Sequence, residues 1–268
     1  MLKKNNLITK LTGKVTCVTG ASGYIGKVIA ETLCQLDSNL ILVDINSKNL
    51  NKLKLDLSKR YHVQIDTLCM DLTKKNNIHK LKSFIMTKYK HLHILINSLG
   101  FVGSNKLKGW SVDYDKQTEH GWNKAIEVNL TSVFFLIQSL HKIMKKTKNA
   151  SIINISSIYG SHAPDYDIYS NTNIKNPAGY AISKAGLNHL TKWLAVTLSP
   201  EIRVNTISPG GIFRKQDPVF VKKYIKKTPL NRMGTESDIV GAIILLSTDM
   251  SLYITGQNIV VDGGWTLK

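Results

Sequence analysis

The strongest constraint on the fold is a regular alternation of short apolar runs with longer segments of helical period. Seven runs rich in β-branched residues have strand character: KVTCVT, LILVD, VQIDTLCM, HILIN, ASIINIS, IRVNTIS and QNIVVD. Helices are predicted between them at about 24–35, 46–59, 74–89, 119–146, 180–198 and 236–247. Because parallel neighbours need long crossover connections, this order predicts an α/β protein with a doubly wound, seven-stranded parallel sheet and helices on both faces.

The length of the chain favours one domain. It has 268 residues, 43% of them hydrophobic, which is enough for one large core. We predict a basic tail over residues 1–13 and a single domain over residues 14–268. Two stretches, VGSNKLKGWSVDYDKQ and GSHAPDYDIYSNTNIKNP, resist the pattern and are long for idle connections. Loops of this kind often carry binding specificity.

The formal net charge of +18 is compatible with nucleic acid, an acidic protein or a phosphorylated substrate as partner. However, the lysines are scattered at helical spacing in segments such as NSKNLNKLKLDLSKR. This pattern favours solvated helix faces, and nucleic acid is not the expected partner.

The sequence carries no signal for a membrane or a metal. No apolar run approaches the ~20 residues needed to span a bilayer, and MLKKNNLITKLTGK lacks the apolar core of a signal peptide. We expect a cytoplasmic protein. Cys17, Cys34 and Cys69 have no metal-like spacing and are predicted to be reduced core residues.

A glycine-punctuated turn, TGASGYIG, follows the first strand and opens the first helix. Glycine lets the backbone turn tightly and approach a pyrophosphate, whose charge is then met by the helix N-terminus. Tight turns also use glycine for purely structural reasons. The strand before it and the helix after it favour a dinucleotide site built on Gly20, Gly23 and Gly26.

Polar or small residues also end the next three strands. Asp44 ends the second strand, where a carboxylate can accept hydrogen bonds from an adenosine ribose and would repel a 2′-phosphate. NAD is therefore favoured over NADP, although a capping role for Asp44 is compatible. Asp71 is a candidate adenine contact, and Asn97 and Gly100 bound a small-residue turn where ligands bind in open sheets.

The segment YAISK places Tyr180 and Lys184 on one face of a predicted helix. A free phenol ionises near pH ~10, and bringing it to ~7 requires roughly 4 kcal/mol. An ammonium ~4–6 Å away contributes about 3–4 kcal/mol at an effective dielectric near 20. Lys184, helped by an oxidised nicotinamide, is thus predicted to make Tyr180 an acid/base near neutral pH.

Together these segments resemble the short-chain dehydrogenases/reductases over nearly the whole chain. The matching residues are TGASGYIG, Asp44, Asp71, NSLG, Asn129 in EVNLTSVF, INISS, YAISK, ISPGG and TGQNIVVDGG. The resemblance implies a Rossmann-type domain, a nicotinamide cofactor and a catalytic group of Asn129, Ser157, Tyr180 and Lys184.

The resemblance also implies a role for each residue. Lys184 holds the nicotinamide ribose, Ser157 (preferred over Ser156) hydrogen-bonds the reacting oxygen, and Asn129 anchors a proton-relaying water. The predicted cofactor contacts are Gly20, Ser22, Gly23, Tyr24, Ile25, Gly26, Asp44, Asp71, Leu72, Asn97, Gly100, Tyr180, Lys184, Pro209, Gly210 and Ile212.

The chain departs from the shorter family members in two places. The spacing of Gly20, Gly23 and Gly26 resembles that of the longer, sugar-nucleotide-modifying members, and Tyr24 stands where the shorter members usually have glycine. Ser157 and Tyr180 are also separated by more residues along the sequence than in the shorter members, which marks residues 161–177 as an insertion. Its Asp, Tyr and Asn side chains suit hydroxyl groups, although a surface or oligomer-contact loop is the alternative. The predicted substrate residues are Ser157, Tyr159, Tyr166, Tyr169 and Arg214.

The expected activity is NAD(P)-dependent interconversion of a secondary alcohol and a ketone on a sugar, sugar phosphate or nucleotide sugar. A looser resemblance to bacterial surface-sugar and flagellin-modification oxidoreductases supports the carbohydrate. The alternatives are a 3-oxoacyl-[acyl-carrier-protein] reductase and a nonenzymatic binder of nicotinamide or nucleic acid. Residues 211–232 are predicted to form a lid. Its Arg214, Lys215, Lys222 and Lys223 could meet a phosphate, or could equally belong to a solvated helix face. The family resemblance implies a homodimer or homotetramer.

Overall fold

A computed structural model describes residues 10–102, 107–173 and 175–267. Seven strands form one parallel sheet in the order β3-β2-β1-β4-β5-β6-β7. They are Val15–Thr19 (β1), Asn39–Asp44 (β2), Ile65–Cys69 (β3), Ile94–Asn97 (β4), Ala150–Ile155 (β5), Ile202–Pro209 (β6) and Asn258–Val261 (β7). The predicted doubly wound sheet is confirmed. The order in which successive strands are added reverses between β1 and β4, where open sheets of this class bind ligands.

The α-helices are Tyr24–Gln35 (α1), Ser47–Arg60 (α2), Lys75–Lys88 (α3), Glu119–Ile126 (α4), Ser132–Met144 (α5), Ala178–Leu198 (α6), Pro218–Lys227 (α7) and Val240–Ser247 (α8). The helix predicted over 119–146 is therefore two helices, joined by a widened π turn at Glu127–Thr131. A 3-10 turn at Glu236–Ile239 precedes α8. Helix α7 was not predicted.

Alternate strand residues pack against opposite helical layers. Cys17 of β1 packs in the layer with α3, α5 and α6, whereas its neighbour Val18 packs in the layer with α1, α2 and α8. Burial on both faces explains why the central strands are continuously apolar in sequence rather than alternating. Leu11 is 1% exposed and joins the second layer, so the packed domain starts before residue 14. Residues 1–9 of the predicted tail lie outside the described residues.

A third apolar cluster lies away from the sheet and is built mainly of aromatic side chains. It contains Ile158, Ile168, Tyr169, Phe220, Tyr224, Met233 and Trp265. The cluster joins the inserted loop to α7 and to the end of the described chain. The loop is thus anchored by apolar packing, in addition to hydrogen bonds.

The prediction for the cysteines is confirmed in part. Cys17 and Cys34 are buried, but Cys69 is exposed, because it ends the edge strand β3. Among the described helices, none has the length and hydropathy needed to cross a membrane.

Candidate active site

The glycine turn requires glycine at two of its positions. Gly20 has φ +65°, and a Cβ there would stand 2.7 Å from the Leu99 backbone. A Cβ at Gly26 would overlap the Gly20 carbonyl oxygen. Helix α1 then begins after Gly23 with no side-chain cap and no acidic residue in its first turn. This helix N-terminus therefore keeps its partial positive charge available to an anion.

A crevice of about 330 Å³ runs from this turn along the ends of β2, β3 and β4. Its lining includes Gly20, Gly23, Asp44, Asp71, Leu72, Ser98, Leu99, Gly100 and Phe101. A Cβ at Gly100 would stand 3.8 Å from Lys184 Nζ, so the predicted catalytic lysine lies directly behind the Gly100 wall of the crevice. The structure thus brings the predicted nucleotide and reactive ends together.

Asp44 connects the glycine turn to the second strand. Its Oδ2 accepts a hydrogen bond from the Ser22 backbone N–H, and its Oδ1 accepts one from the Asn46 N–H, both at 2.9 Å. The carboxylate therefore helps to hold the turn in place as well as lining the crevice. Each oxygen retains a further lone pair for a ribose hydroxyl.

Asp71, just after the end of β3, has a lowered pKa and is ionised at neutral pH. Its Oδ1 accepts hydrogen bonds from the Thr73 backbone N–H at 2.9 Å and from the Thr73 hydroxyl at 2.7 Å. Burial works to raise the pKa of Asp71, but the Thr73 hydrogen bonds outweigh burial and hold that pKa below its usual range.

Asn97 does not line the crevice, contrary to the prediction of a direct contact. It is 1% exposed, and its Nδ2 donates to Asn154 Oδ1 at 2.8 Å across β4 and β5. The following residues Ser98 to Gly100 form the wall instead. Pro209, Gly210 and Ile212 line a separate, smaller cavity of about 110 Å³ beside Asp262.

Tyr180, Lys184 and Ser157 lie together at the start of α6 and the end of β5. The Lys184 ammonium is 6.0 Å from the centroid of the Tyr180 ring and donates to the Ile155 carbonyl oxygen at 2.9 Å. Ser157 hydrogen-bonds the Tyr180 side chain and accepts from the Tyr159 N–H at 3.2 Å. The two hydroxyl-bearing residues and the buried cation therefore form one group.

Asn129 lies in the widened turn between α4 and α5, where its amide clamps two segments together. Its Oδ1 accepts from the Phe101 N–H at 2.6 Å, and its Nδ2 donates to the Phe101 carbonyl at 3.1 Å and to Ser183 Oγ at 2.9 Å. Both amide protons are thus used. A water held by Asn129 would have to donate to its side-chain or backbone carbonyl.

A family model described as enoyl-(acyl carrier protein) reductase matches residues 20–266. The chain belongs to the short-chain dehydrogenase/reductase family. Membership makes it an oxidoreductase. The predicted family resemblance and the Rossmann-type fold that it implied are confirmed.

Three relatives in this family cover almost the whole chain. A post-translational flagellin modification protein A of Campylobacter coli is 34% identical over 260 residues, which is 96% of this chain and 100% of the relative. A 3-oxoacyl-[acyl-carrier-protein] reductase of Thermotoga maritima is 31% identical and covers 95% and 98%. The crystal structure of a short-chain dehydrogenase of Leptospira borgpetersenii with bound NAD+ has a TM-score of 0.83 at 34% identity and covers 99% and 97%.

The family's tyrosine and lysine have opposite pKa shifts in this chain. Burial raises the pKa of Tyr180, while its hydrogen bond with Ser157 and the positive charge of Arg214 work to lower it. Burial lowers the pKa of Lys184 from 10.5 to about 8. In the chain alone burial outweighs the hydrogen bond of Ser157 and the charge of Arg214. The near-neutral pKa of Tyr180 beside an oxidised nicotinamide stays a prediction.

The inserted loop is docked on α7. Lys223 Nζ donates to the carbonyls of Asp167 at 3.0 Å and Ser170 at 2.8 Å, and Lys227 pairs with Asp165 at 2.8 Å. The Lys223 ammonium thus fastens the loop instead of standing free for a phosphate. Residue 174 of the loop lies outside the described residues.

The three predicted substrate tyrosines have different surroundings. The Tyr159 and Tyr169 hydroxyls are 2.5 Å apart, and Tyr169 is 5% exposed within the aromatic cluster. Tyr166 is 59% exposed. Arg214 stacks on the ring of Tyr24. Ser157 therefore hydrogen-bonds Tyr180, while Tyr159, Tyr169 and Arg214 lie close enough to interact with it electrostatically.

Sequence reasoning missed a buried hydrogen-bond chain that fixes α6 to the sheet. Asn154 Nδ2 donates to Thr191 Oγ1 at 2.9 Å, and Thr206 Oγ1 lies 2.8 Å from the same hydroxyl. All three side chains are at most 1% exposed. The available signal was a polar residue within each of the apolar runs ASIINIS and IRVNTIS.

Proposed function

We propose that this chain catalyses the NAD-dependent interconversion of a secondary alcohol and a ketone on a polyhydroxylated, carbohydrate-like substrate. The observation that carries the proposal is the grouping of Ser157, Tyr180 and Lys184 at the end of the dinucleotide crevice. A polar inserted loop stands beside this group.

The crevice fits a nicotinamide dinucleotide in three respects. Gly20 and Gly26 let the turn fold too tightly for any side chain at these positions. The uncapped N-terminus of α1 that follows suits a pyrophosphate. Asp44 suits the unmodified ribose of NAD and opposes the 2′-phosphate of NADP. Tyr180 and Lys184 would flank the nicotinamide end, and the bound cofactor would supply or accept the hydride.

The chain's own residues handle the proton. Ser157 and Tyr180 hydroxyls converge on the carbonyl oxygen, which develops negative charge during reduction. Because burial keeps Tyr180 protonated, its hydroxyl can donate that proton to the oxygen. The charges of Lys184 and Arg214 stabilise the phenolate that remains. In oxidation the same tyrosine accepts the proton.

A hydroxyl-rich substrate is favoured by the wall next to this group. Tyr159 lies beside Ser157, and its hydroxyl bonds Tyr169 of the inserted loop, whose sequence is rich in Asp, Asn, Ser and Tyr. This polar composition suits a hydroxyl-rich substrate better than an acyl chain. The name of the Campylobacter coli relative, a flagellin modification protein, supports a role in surface or flagellar glycan synthesis.

The second candidate is reduction of a 3-oxoacyl group on acyl carrier protein. It is supported by the Thermotoga maritima relative and by the +18 net charge, which would attract an acidic carrier. The two candidates differ in whether the substrate is polyhydroxylated or apolar.

Turnover separates the two candidates. Purified protein is assayed with NADH and with NADPH against a panel of ketoses, sugar phosphates, 4-keto nucleotide sugars and an acetoacetyl thioester, following absorbance of the reduced nicotinamide. We expect turnover of at least one carbohydrate. Turnover of the thioester alone would replace the carbohydrate assignment by the acyl one.

Replacing Asp44 should weaken NAD binding and narrow its advantage over NADP. The Asp44→Ala variant loses an acceptor for the ribose hydroxyls and a charge that opposes a 2′-phosphate, so we expect about a tenfold rise in the Kd of NAD. Calorimetric titration with both dinucleotides measures this. Asp56→Asn removes the same charge from an exposed position of α2 and should change neither Kd. An unchanged NAD/NADP ratio in Asp44→Ala would mean that Asp44 is not the selector.

We also infer self-association as a homodimer or homotetramer. Helix α6 exposes Ile182, Trp193 and Val196 at 50%, 53% and 83%. Large apolar side chains grouped on one helix face are typical of a subunit contact. A cytoplasmic location remains the prediction from the sequence.

A further inference from the structure

The guanidinium of Arg214 lies over the ring of Tyr24, 4.4 Å from its centroid. Tyr24 is the first residue of α1 and follows the glycine turn directly. Arg214 belongs to the segment after β6, so this contact joins that segment to the glycine-turn end of α1. Such cation–π contacts stabilise by about 0.5–1 kcal/mol at exposed sites.

The segment that carries Arg214 is held by hydrogen bonds. The Phe213 N–H donates to the Gly234 carbonyl at 2.8 Å, and the Arg214 N–H donates to Gln216 Oε1 at 2.7 Å. Glu236 accepts from Arg214 Nε at 3.0 Å. The side chain is thus fixed by a ring on its face and a carboxylate at its edge.

The two Nη groups of Arg214 have no hydrogen-bond partner among the described residues. Within the described part of the chain, the hydrogen bonds of its side chain run through Nε alone, and 35% of the side chain is exposed. The two Nη groups of a guanidinium form a planar fork that matches two oxygens of a phosphate. The uncapped N-terminus of α1 lies next to the same ring.

We propose that Arg214, seated on Tyr24, binds a phosphate group at the mouth of the cleft, between the glycine turn and Tyr180. This rests on the proposed function, which places a dinucleotide in the cleft. The phosphate is either the diphosphate of the dinucleotide or a phosphate ester of the substrate, since the recognition chemistry is the same. Tyr24, the departure from the shorter family members, then serves as the platform that aims the guanidinium.

The influence of Arg214 extends to the reactive group. Its positive charge works to lower the pKa of Tyr180, so the guanidinium is close enough to act on the phenol. A phosphate bound by Arg214 would therefore lie near the reacting centre, as either the cofactor or a phosphorylated substrate requires.

Calorimetric titration of four variants tests this site without requiring turnover. The probes are NAD and inorganic pyrophosphate with the free protein, and inorganic phosphate with the NAD-saturated protein. Arg214→Gln should weaken at least one of these interactions about tenfold, because a charge-assisted hydrogen bond is lost. Tyr24→Leu should weaken the same interaction, whereas Tyr24→Phe keeps the ring and should match the parent protein.

The fourth variant, Lys27→Gln, removes a positive charge from an exposed position one turn along α1. It should change each Kd less than twofold, because Lys27 is not part of the proposed site. Equal weakening in Lys27→Gln and Arg214→Gln would overturn the site in favour of general charge attraction. So would unchanged binding of all three probes in Arg214→Gln.

The pattern of losses identifies the source of the phosphate. Weaker NAD and pyrophosphate binding assigns Arg214 to the diphosphate of the dinucleotide. Unchanged NAD binding with weaker phosphate binding to the NAD-saturated protein assigns it to the substrate. If Arg214→Gln loses probe binding but the parent protein turns over no substrate of the panel, the phosphate site is supported and the proposed reaction is refuted.

Discussion

The Tyr180→Phe variant should lose at least about a hundredfold in kcat, because a positioned proton donor contributes about 10²–10⁴-fold. Phenylalanine keeps the ring that packs above Lys184. Only the hydroxyl that bonds Ser157 and donates the proton is removed. The Kd of NAD should stay within about twofold of the parent value, since the proposed NAD contacts are made mainly by residues other than the Tyr180 hydroxyl.

Steady-state kinetics with a substrate from the panel and calorimetric titration with NAD measure the two quantities. Tyr114→Phe removes a phenol that is 87% exposed and should leave both unchanged. A Tyr180→Phe variant with more than about a tenth of the parent kcat would refute the assignment of Tyr180 as the acid/base.

The Lys184→Met variant should lose activity and gain stability. Burial lowers the folded-state pKa of Lys184 from 10.5 to about 8, so the unfolded chain binds the proton more tightly. Burying the ammonium therefore costs stability, fully below pH ~8 and progressively less up to pH ~10.5. Removing it should raise the free energy of unfolding at pH 7 by about 1–3 kcal/mol, after allowing for the lost hydrogen bond to Ile155.

Urea denaturation at pH 7 and at pH ~9.5 checks this sign, because the gain should shrink at the higher pH. Lys192→Met changes an exposed lysine of the same helix and should shift the free energy of unfolding by less than ~0.5 kcal/mol. A destabilised Lys184→Met protein, or an equal gain at both pH values, would contradict a buried cation that costs stability. Expected kcat falls at least about a hundredfold, as the phenolate loses its counter-charge.

The periodicity of the sequence predicted every strand of the described sheet, because burial on both faces leaves continuous apolar runs. It could not separate α4 from α5, since a π turn keeps the helical period nearly unchanged. Helix α7 was missed although Asp217 caps it and Pro218 occupies its first turn. That stretch was predicted instead as part of a lid over residues 211–232.

The candidate site was predictable wherever chain order fixes position. Strand ends of a parallel sheet share one edge, which brings Asp44 and Asp71 to the crevice. Side-chain direction and distant partners were not predictable in this way. Asn97 points across the sheet to Asn154, and Lys223 fastens a loop more than fifty residues earlier in the chain. Such pairings exist only after folding.

The aromatic cluster has a consequence for how such an enzyme can change its substrate during evolution. Ile168 and Tyr169 of the inserted loop, Phe220 and Tyr224 of α7, and Trp265 pack as one body. If the loop alone were exchanged between relatives, the cluster residues of α7 and Trp265 would lose the side chains that they pack against. Novel specificity should therefore arise by concerted change in three separate stretches of the gene, while the residues proposed for proton transfer on α6 are inherited intact.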